Sequence, residues 1–241
     1  HFLMHLGQGL LDAALAELKA RGHVPEQATI GRVGLSSFSA GYGAVRAILL
    51  GLARRLGARA GELPVDLLFV APAAEEAGLL GSERFVKESP VPLSRMAACL
   101  NLEMSAVWGP ARDLVAIGAS ESALGAVVEA VAKREGLGVS PEPAPDQGFF
   151  YRSDQYSFAR AGVPGIWIDL GDDLVGTPAG TGLARREEYR AKRYHHPQDE
   201  FDPAWELTGT AQLARVVEAM VEEIGARGGK IPWKEGSPYR K

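Results

Sequence analysis

Two adjacent carboxylates, Glu75 and Glu76, lie just past an apolar run at residues 65–70 and before the glycine-containing turn of residues 77–82. A buried strand that leads to a pair of acids can give one carboxylate to a metal ion and leave its neighbour free to act on water. Alone, the pair fits equally well with solvated charges in front of a helix, where acids favour the helix dipole. Further ligands elsewhere in the chain would favour the metal.

Such ligand types occur at two other places. Glu103 follows the apolar segment 96–102, and a histidine pair, His195 and His196, follows Tyr194 far downstream. Carboxylates and a histidine, each at the end of an element, form the ligand set that zinc accepts. The combination predicts hydrolytic metal chemistry.

Composition restricts the class of protein. With 241 residues, 46% of them hydrophobic, residues 1–241 can bury one large core, so we expect a single α/β domain with an atypical segment at residues 1–50. The net charge of -4 and the absence of a basic cluster argue against a nucleic-acid partner. The sequence has no run of about 18 apolar residues that could span a bilayer. Its one cysteine, Cys99, excludes an internal disulfide and lies in a predicted strand, so we expect a core position.

Apolar periodicity indicates alternating strands and helices. The predicted strands are 30–35, 65–71, 96–102, 114–117 and 165–170. The predicted helices are 10–18, 43–56, 81–87, 121–135, 154–161 and 203–224. Residues 171–193 have no clear period and are expected to form a long exposed loop. This alternation predicts a three-layer α/β/α sandwich around a mostly parallel central sheet, with ligands at the carboxyl ends of the strands.

Residues 52–209 resemble the co-catalytic zinc aminopeptidase family, which includes bacterial leucyl aminopeptidases and the catalytic domain of glutamate carboxypeptidase. Four stretches in this order carry the resemblance: AEEAGLLGS at 74–82, NLEM at 101–104, FYRSDQYSF at 150–158 with AGVP at 161–164, and YHHPQDE at 194–200. The resemblance implies a peptide substrate and one or two zinc ions. It also implies a secreted or periplasmic protein, although no signal-peptide pattern precedes the first predicted helix.

The resemblance assigns roles to the acids and to one histidine. It implies that Glu75 is the general base and that Glu76 is a zinc ligand. Glu103 stands where the family usually has an aspartate ligand to the other zinc. His195 matches the late histidine ligand and is preferred over His196 because it directly follows the tyrosine of the motif.

Two further residues receive roles from the resemblance. Tyr194 matches a residue that can donate a hydrogen bond to a tetrahedral oxyanion. Arg152 resembles a cation that orients the substrate. For Asp154 and Asp199, helix capping or loop hydrogen bonding is at least as good an interpretation as a catalytic role.

The sequence departs from the family upstream of these motifs. Family members carry an early His-x-Asp strand end and then an aspartate that bridges both metals, but the corresponding loop here, residues 35–43, has no acid. Without the bridging carboxylate, two zinc ions about 3.5 to 4 Å apart would repel strongly. We therefore expect an incomplete site with at most one weakly held zinc. The expected activity is that of a zinc-dependent aminopeptidase-type exopeptidase, and the alternative is an impaired relative that only binds.

The first 50 residues suggest another chemistry. The segment Ser37-Phe38-Ser39-Ala40-Gly41 follows an apolar strand and resembles the nucleophile elbow of an α/β-hydrolase. Asp169 and His196 would complete the Ser, Asp, His order of that fold. A serine hydrolase using Ser39 is thus a further alternative, and a helix-capping Ser39 is the simpler interpretation.

Overall fold

The computed structural model describes residues 33–36 (backbone), 51–59, 61–63, 65–103, 107–197, 199, 202 and 204–240. These residues build a six-stranded sheet of order β2-β1-β3-β6-β4-β5. The strands are β1 Val33–Ser36, β2 Leu68–Phe69, β3 Ala98–Asn101, β4 Asp113–Ile117, β5 Gly138–Ser140 and β6 Gly165–Leu170. Every pairing is parallel except that of β4 with β6. The predicted mostly parallel sheet is confirmed.

Helices connect these strands. Residues 51–58 belong to α1, and the others are α2 Leu80–Lys87, α3 Leu124–Glu135, α4 Gln155–Arg160, α5 Thr181–Lys192 and α6 Thr208–Ala226. A short 3-10 turn, Phe149–Arg152, precedes α4. Within the described part of the chain, no helix is both long and apolar enough to cross a membrane.

The sheet is covered on both faces, as alternation along β3 shows. Ala98 and Leu100 point into the main core, which is shared with α1, α3 and α6. Cys99 points the other way and packs in a separate cluster with Phe158 of α4 and, at its edge, Phe85 of α2. Since neighbouring strand residues face opposite sides, both faces bury apolar side chains. The three-layer α/β/α sandwich is confirmed, and Cys99 is a core residue.

Strand direction brings the predicted site residues to one edge of the sheet. β1, β2, β3 and β6 run the same way, whereas β4 and β5 run in reverse. The carboxyl ends of β2 and β3 therefore meet at the same edge, where ligands bind in sheets of this type. Glu75 and Glu76 follow β2 at this edge, and Glu103 follows β3.

The prediction of a long loop at 171–193 was wrong, because α5 occupies Thr181–Lys192. Its sequence shows no apolar stripe since only Gly182 and Arg186 are buried along it. Arg186 holds the helix to the sheet through an ion pair, its Nε lying 2.8 Å from Asp172 Oδ1. A helix held by a buried guanidinium leaves no hydrophobic period in the sequence.

The loop that carries Glu75 and Glu76 is held by unusual backbone geometry. Ala74 and Leu79 adopt left-handed φ angles of 60° and 62°, and Gly78 has a φ of 96°. Non-glycine residues in this region carry a strain of order 1–2 kcal/mol, which surrounding contacts must offset. Gly81 allows α2 to begin directly against the loop, because a Cβ there would lie 2.2 Å from the carbonyl oxygen of Ala73. The loop and the start of α2 therefore fix the Glu pair together.

We expect Gly81→Ala to destabilise the protein by about 1–3 kcal/mol, since the new methyl group must displace backbone atoms. Thermal or denaturant unfolding measures this change. Gly51→Ala is the matched control, because Gly51 lies in α1 with open space around its Cβ position. Alanine there should stabilise by about 0.5–1 kcal/mol. Equal effects at both positions would contradict the close approach of α2 to Ala73.

Candidate active site

Three carboxylates are buried at this edge of the sheet: Glu75, Glu103 and Asp154. Burial, followed by the charges of Glu76 and Asp154, raises the pKa of Glu75 to about 7. Burial and the charge of Glu75 raise the pKa of Glu103 to about 8. Carboxylates that raise one another's pKa in this way favour a proton or a cation among them.

A chain of hydrogen bonds between polar side chains fixes the position of Glu103. Asn101, at the end of β3, donates hydrogen bonds through Nδ2 to Glu103 Oε1 and to Gln155 Oε1, both at 2.6 Å. Gln155 in turn donates through Nε2 to the carbonyl oxygen of Phe150 at 3.1 Å. Sequence reasoning did not select Asn101 or Gln155. For Asn101 the available signal was an amide at the end of an otherwise apolar strand, which needs hydrogen-bonding partners when it is buried.

His195 contacts Glu76 although 119 residues of chain separate the two. Its Nε2 lies 2.6 Å from Glu76 Oε1, and both side chains are about half exposed at the mouth of the site. The Tyr194 ring stacks on the imidazole with a centroid distance of 3.8 Å. His195 adopts a left-handed φ of 62°, a costly conformation that occurs at functional sites.

Tyr194 and Arg152 belong to the same electrostatic cluster. Burial, with the charges of Glu76, Glu103 and Glu75, raises the pKa of Tyr194, so its hydroxyl stays a hydrogen-bond donor near neutral pH. Arg152 lies at the end of the 3-10 turn before α4 and is exposed. Its positive charge partly offsets the raised pKa of both Glu75 and Tyr194.

The predicted zinc ligands fit the metal in type and only partly in position. Carboxylate and imidazole are both zinc donors, and Glu76 and His195 are in direct contact. Donors about 2.0–2.1 Å from a tetrahedral ion are separated by roughly 3.3 Å, so this pair would need to open by less than 1 Å to bind one. In the described ranges, no group of three His, Cys, Asp or Glu residues is arranged to hold a metal ion. Of the predicted ligands, the structure brings Glu76 and His195 into direct contact.

Other predicted residues have different surroundings. Asp154 precedes α4 but makes no capping hydrogen bond through its side chain, so the capping interpretation was wrong. Asp199 accepts a hydrogen bond from the Tyr189 hydroxyl at 2.8 Å, as expected of a loop residue. His196 is exposed. Ser39 lies outside the described residues.

Asp169, the third member of the Ser39 hypothesis, is buried and faces Arg186, whose Nη1 lies 3.8 Å from its Oδ2. Its Oδ1 accepts a hydrogen bond from the Leu170 backbone N–H at 2.8 Å. Burial raises the pKa of Asp169 to about 6 despite Arg186. Asp169 is thus part of a buried polar network with Arg186 and Asp172, whereas His196 is exposed.

We expect the stability of the wild type to fall relative to Asp169→Asn as the pH rises from about 4 to about 6. The folded-state pKa of Asp169 lies above its unfolded value, so the protonated side chain stabilises the folded state. This stabilisation is fully present below the unfolded pKa and is lost as the pH rises through the folded pKa. A difference of about two pKa units amounts to at most about 3 kcal/mol. Denaturant unfolding of both proteins at pH 4 and pH 7 measures the change. The same difference at both pH values would show that Asp169 does not titrate this way.

A cavity of about 230 Å³ lies on the face of the sheet formed by β4 and β6. Its walls include Trp167, Phe149 and Arg190. Phe149 begins the 3-10 turn that ends at Arg152, and the charge of Arg190 interacts with Tyr194. The cavity and Arg152 therefore share the 3-10 turn Phe149–Arg152.

The structure is an α/β/α sandwich with buried acids at the carboxyl edge of its sheet. The sequence profile of peptidase family M28 matches residues 42–221, and the chain belongs to this family. This confirms the resemblance to the co-catalytic zinc aminopeptidases.

Solved structures share the fold at low identity. An aminopeptidase from Aneurinibacillus sp. strain AM-1 is 21% identical to this chain, with a TM-score of 0.52. The alignment covers 82% of this chain and 44% of the aminopeptidase chain. The Legionella pneumophila LapA aminopeptidase is 12% identical with a TM-score of 0.60, covering 83% and 53%. A Porphyromonas gingivalis glutaminyl cyclase is 16% identical with a TM-score of 0.52, covering 83% and 74%. The chain thus spans about half the length of these aminopeptidases. Comparison with curated proteins gives no match.

Proposed function

We propose that this chain is a zinc-dependent exopeptidase of the aminopeptidase type, with an incomplete metal site that holds one zinc ion weakly. The observation that carries the proposal is the contact between His195 Nε2 and Glu76 Oε1 beside the buried Glu75. Membership of peptidase family M28 supports the peptidase class. The free amino end of a peptide is a cation, and buried carboxyl groups that raise one another's pKa favour a cation among them.

In this proposal Glu76 and His195 hold the zinc ion, and Glu103 is the third candidate ligand. When bound, zinc would act as a Lewis acid that polarises a carbonyl group and lowers the pKa of water to about 7. Asn101 fixes the Glu103 carboxylate by donating to its Oε1. Fixing a ligand through such a partner usually strengthens metal binding.

The remaining roles fall to protein groups around the scissile bond. Glu75 accepts the proton of water and passes it to the leaving amine, because it is buried and adjacent to a candidate ligand. Tyr194 donates a hydrogen bond from its hydroxyl to the developing oxyanion. Stacking on His195 orients the tyrosine ring for this contact. Arg152 orients the substrate from the rim through its charge.

The test is hydrolysis of leucyl p-nitroanilide by protein supplied with zinc. We expect turnover that is abolished by a chelator, restored by zinc, and absent for the acetyl-capped substrate, which has no free amino end. Chelator-resistant turnover that a fluorophosphonate abolishes would support a serine hydrolase using Ser39 instead. No turnover under either condition would support the non-catalytic binding relative.

A further inference from the structure

The loop that carries Tyr194 and His195 begins at the end of α5, and packing of the His195 side chain does not fix it. This side chain is about half exposed, and its imidazole contacts Glu76 and the Tyr194 ring. The left-handed backbone of His195 persists only where surrounding contacts hold it, because it is a sparsely populated conformation. The contacts that hold the loop must therefore come from other residues.

Tyr189, in the last turn of α5, contacts both ends of this loop. Its carbonyl oxygen accepts a hydrogen bond from the backbone N–H of Tyr194 at 3.0 Å. Its hydroxyl donates to Asp199 Oδ1 at 2.8 Å. Tyr194 directly precedes His195 and Asp199 follows it, so one residue connects the chain on both sides of the histidine.

The hydroxyl of Tyr189 is well matched to Asp199. The second oxygen of this carboxyl group, Oδ2, is buried and accepts no hydrogen bond from any described residue. Burial, followed by the hydrogen bond to Asp199, raises the pKa of Tyr189, so its hydroxyl stays a donor near neutral pH. A hydrogen bond to a carboxylate is roughly twice as strong as one between neutral groups. Loss of the hydroxyl would leave Asp199 without the side-chain donor that the described residues provide.

The ring of Tyr189 is itself fixed on two sides. It makes an edge contact with Trp108 at a centroid distance of 6.0 Å, and the Tyr194 ring lies 6.2 Å from it. The buried Arg186, which holds α5 to the sheet, lies over the same Trp108 ring with its Cζ 5.6 Å from the centroid. A continuous row of contacts thus leads from the anchored part of α5 to His195.

We propose that Tyr189 is a positioning residue that, through its hydrogen bond to Asp199, holds His195 within reach of Glu76 and thereby sets the strength of zinc binding. Tyr189 acts through the loop and touches neither the metal nor the substrate. This inference rests on the proposed function, in which His195 is a zinc ligand. The position of the imidazole can also be measured without metal.

The first test measures zinc affinity by competition with a chromogenic chelator. Tyr189→Phe keeps the ring and the backbone carbonyl and removes only the hydroxyl. We expect zinc to bind about tenfold more weakly or worse, since outer partners of ligands contribute about 10- to 100-fold. Asp199→Ala should give a similar loss, and Asp199→Asn, which keeps an acceptor, should restore part of it. The double variant with Tyr189→Phe and Asp199→Ala should bind no more weakly than Asp199→Ala alone, because both changes remove one shared bond.

Tyr239→Phe is the matched control, because it makes the same substitution on another partly buried tyrosine that packs among aromatic rings. It should bind zinc as the wild type does. Denaturant unfolding of both variants accompanies the measurement. An equal loss of zinc affinity in the two tyrosine variants would reduce the role of Tyr189 to general stability and overturn the inference.

The second test uses zinc-free protein. The Hε1 resonance of His195, identified by its absence in His195→Gln, is followed by NMR at about pH 8.5, above the usual pKa of histidine. The stacked Tyr194 ring shifts this resonance from its free-histidine position. We expect Tyr189→Phe to move it towards that position, Asp199→Asn to move it less, and Tyr239→Phe to leave it in place.

The two tests separate the possible failures. If the wild type binds zinc, a stationary resonance or an unchanged zinc affinity in Tyr189→Phe would overturn the inference and leave the proposed function intact. If the wild type binds no zinc, a moved resonance would support the positioning of His195 and overturn the zinc site. A wild type without zinc and a stationary resonance would overturn both.

Discussion

Glu75→Gln is expected to lower kcat for leucyl p-nitroanilide by about 10²- to 10⁴-fold, the range that a positioned general base contributes. Glutamine keeps the size of the side chain but cannot accept the proton of water. Zinc binding should persist, because the candidate ligands Glu76 and His195 are untouched. The measurement is steady-state hydrolysis with zinc present, together with zinc content.

The matched control is Glu88→Gln, an exposed acid at the end of α2 that pairs with Arg84 on the surface. It should leave kcat unchanged. If Glu75→Gln kept wild-type turnover while Glu76→Gln abolished it, Glu75 would not be the general base. Full activity in both variants would remove the Glu pair from the mechanism.

His195→Gln is expected to weaken zinc binding by more than about a hundredfold, since loss of even an outer partner of a ligand costs 10- to 100-fold. The imidazole is the only nitrogen donor among the proposed ligands, and its Nε2 contacts Glu76 directly. Competition with a chromogenic chelator measures the affinity. Activity should fall in parallel at limiting zinc and recover in part at high zinc.

His196→Gln is the control for His195, because it makes the same substitution one residue later on an exposed side chain. It should bind zinc as the wild type does. The opposite pattern, with zinc lost in His196→Gln and kept in His195→Gln, would show that the motif was aligned one residue out of register.

The sequence was sufficient for five of the six strands and for the positions of the acids, for a physical reason. Buried parallel strands such as β3 and β6 are continuous apolar runs, and acids placed just after them must come out at the same edge. The contact of His195 with Glu76 was predictable from the order of the motifs and not from hydrophobic periodicity. The roles of these residues stay predictions until they are tested.

Most of what the sequence did not reveal was polar and buried. α5 is fixed through Arg186 and its aspartates, so no apolar stripe marks it. The short edge strand β5, Gly138–Ser140, is too brief and exposed to show alternation. Gln155 supports Asn101, the partner of Glu103, through a contact across 54 residues of chain, which pattern reading along one segment cannot find. Long-range hydrogen bonds leave no local period.

The most direct test of the central claim is the zinc bound per chain in equilibrium dialysis, at a free zinc concentration that just saturates the wild type, measured by elemental analysis beside His195→Gln. One site built from Glu76, Glu103 and His195 predicts close to one zinc per chain in the wild type and close to none in the variant. Equal zinc in both proteins would contradict the assignment of His195, and two tightly held zinc ions per wild-type chain would contradict the incomplete site.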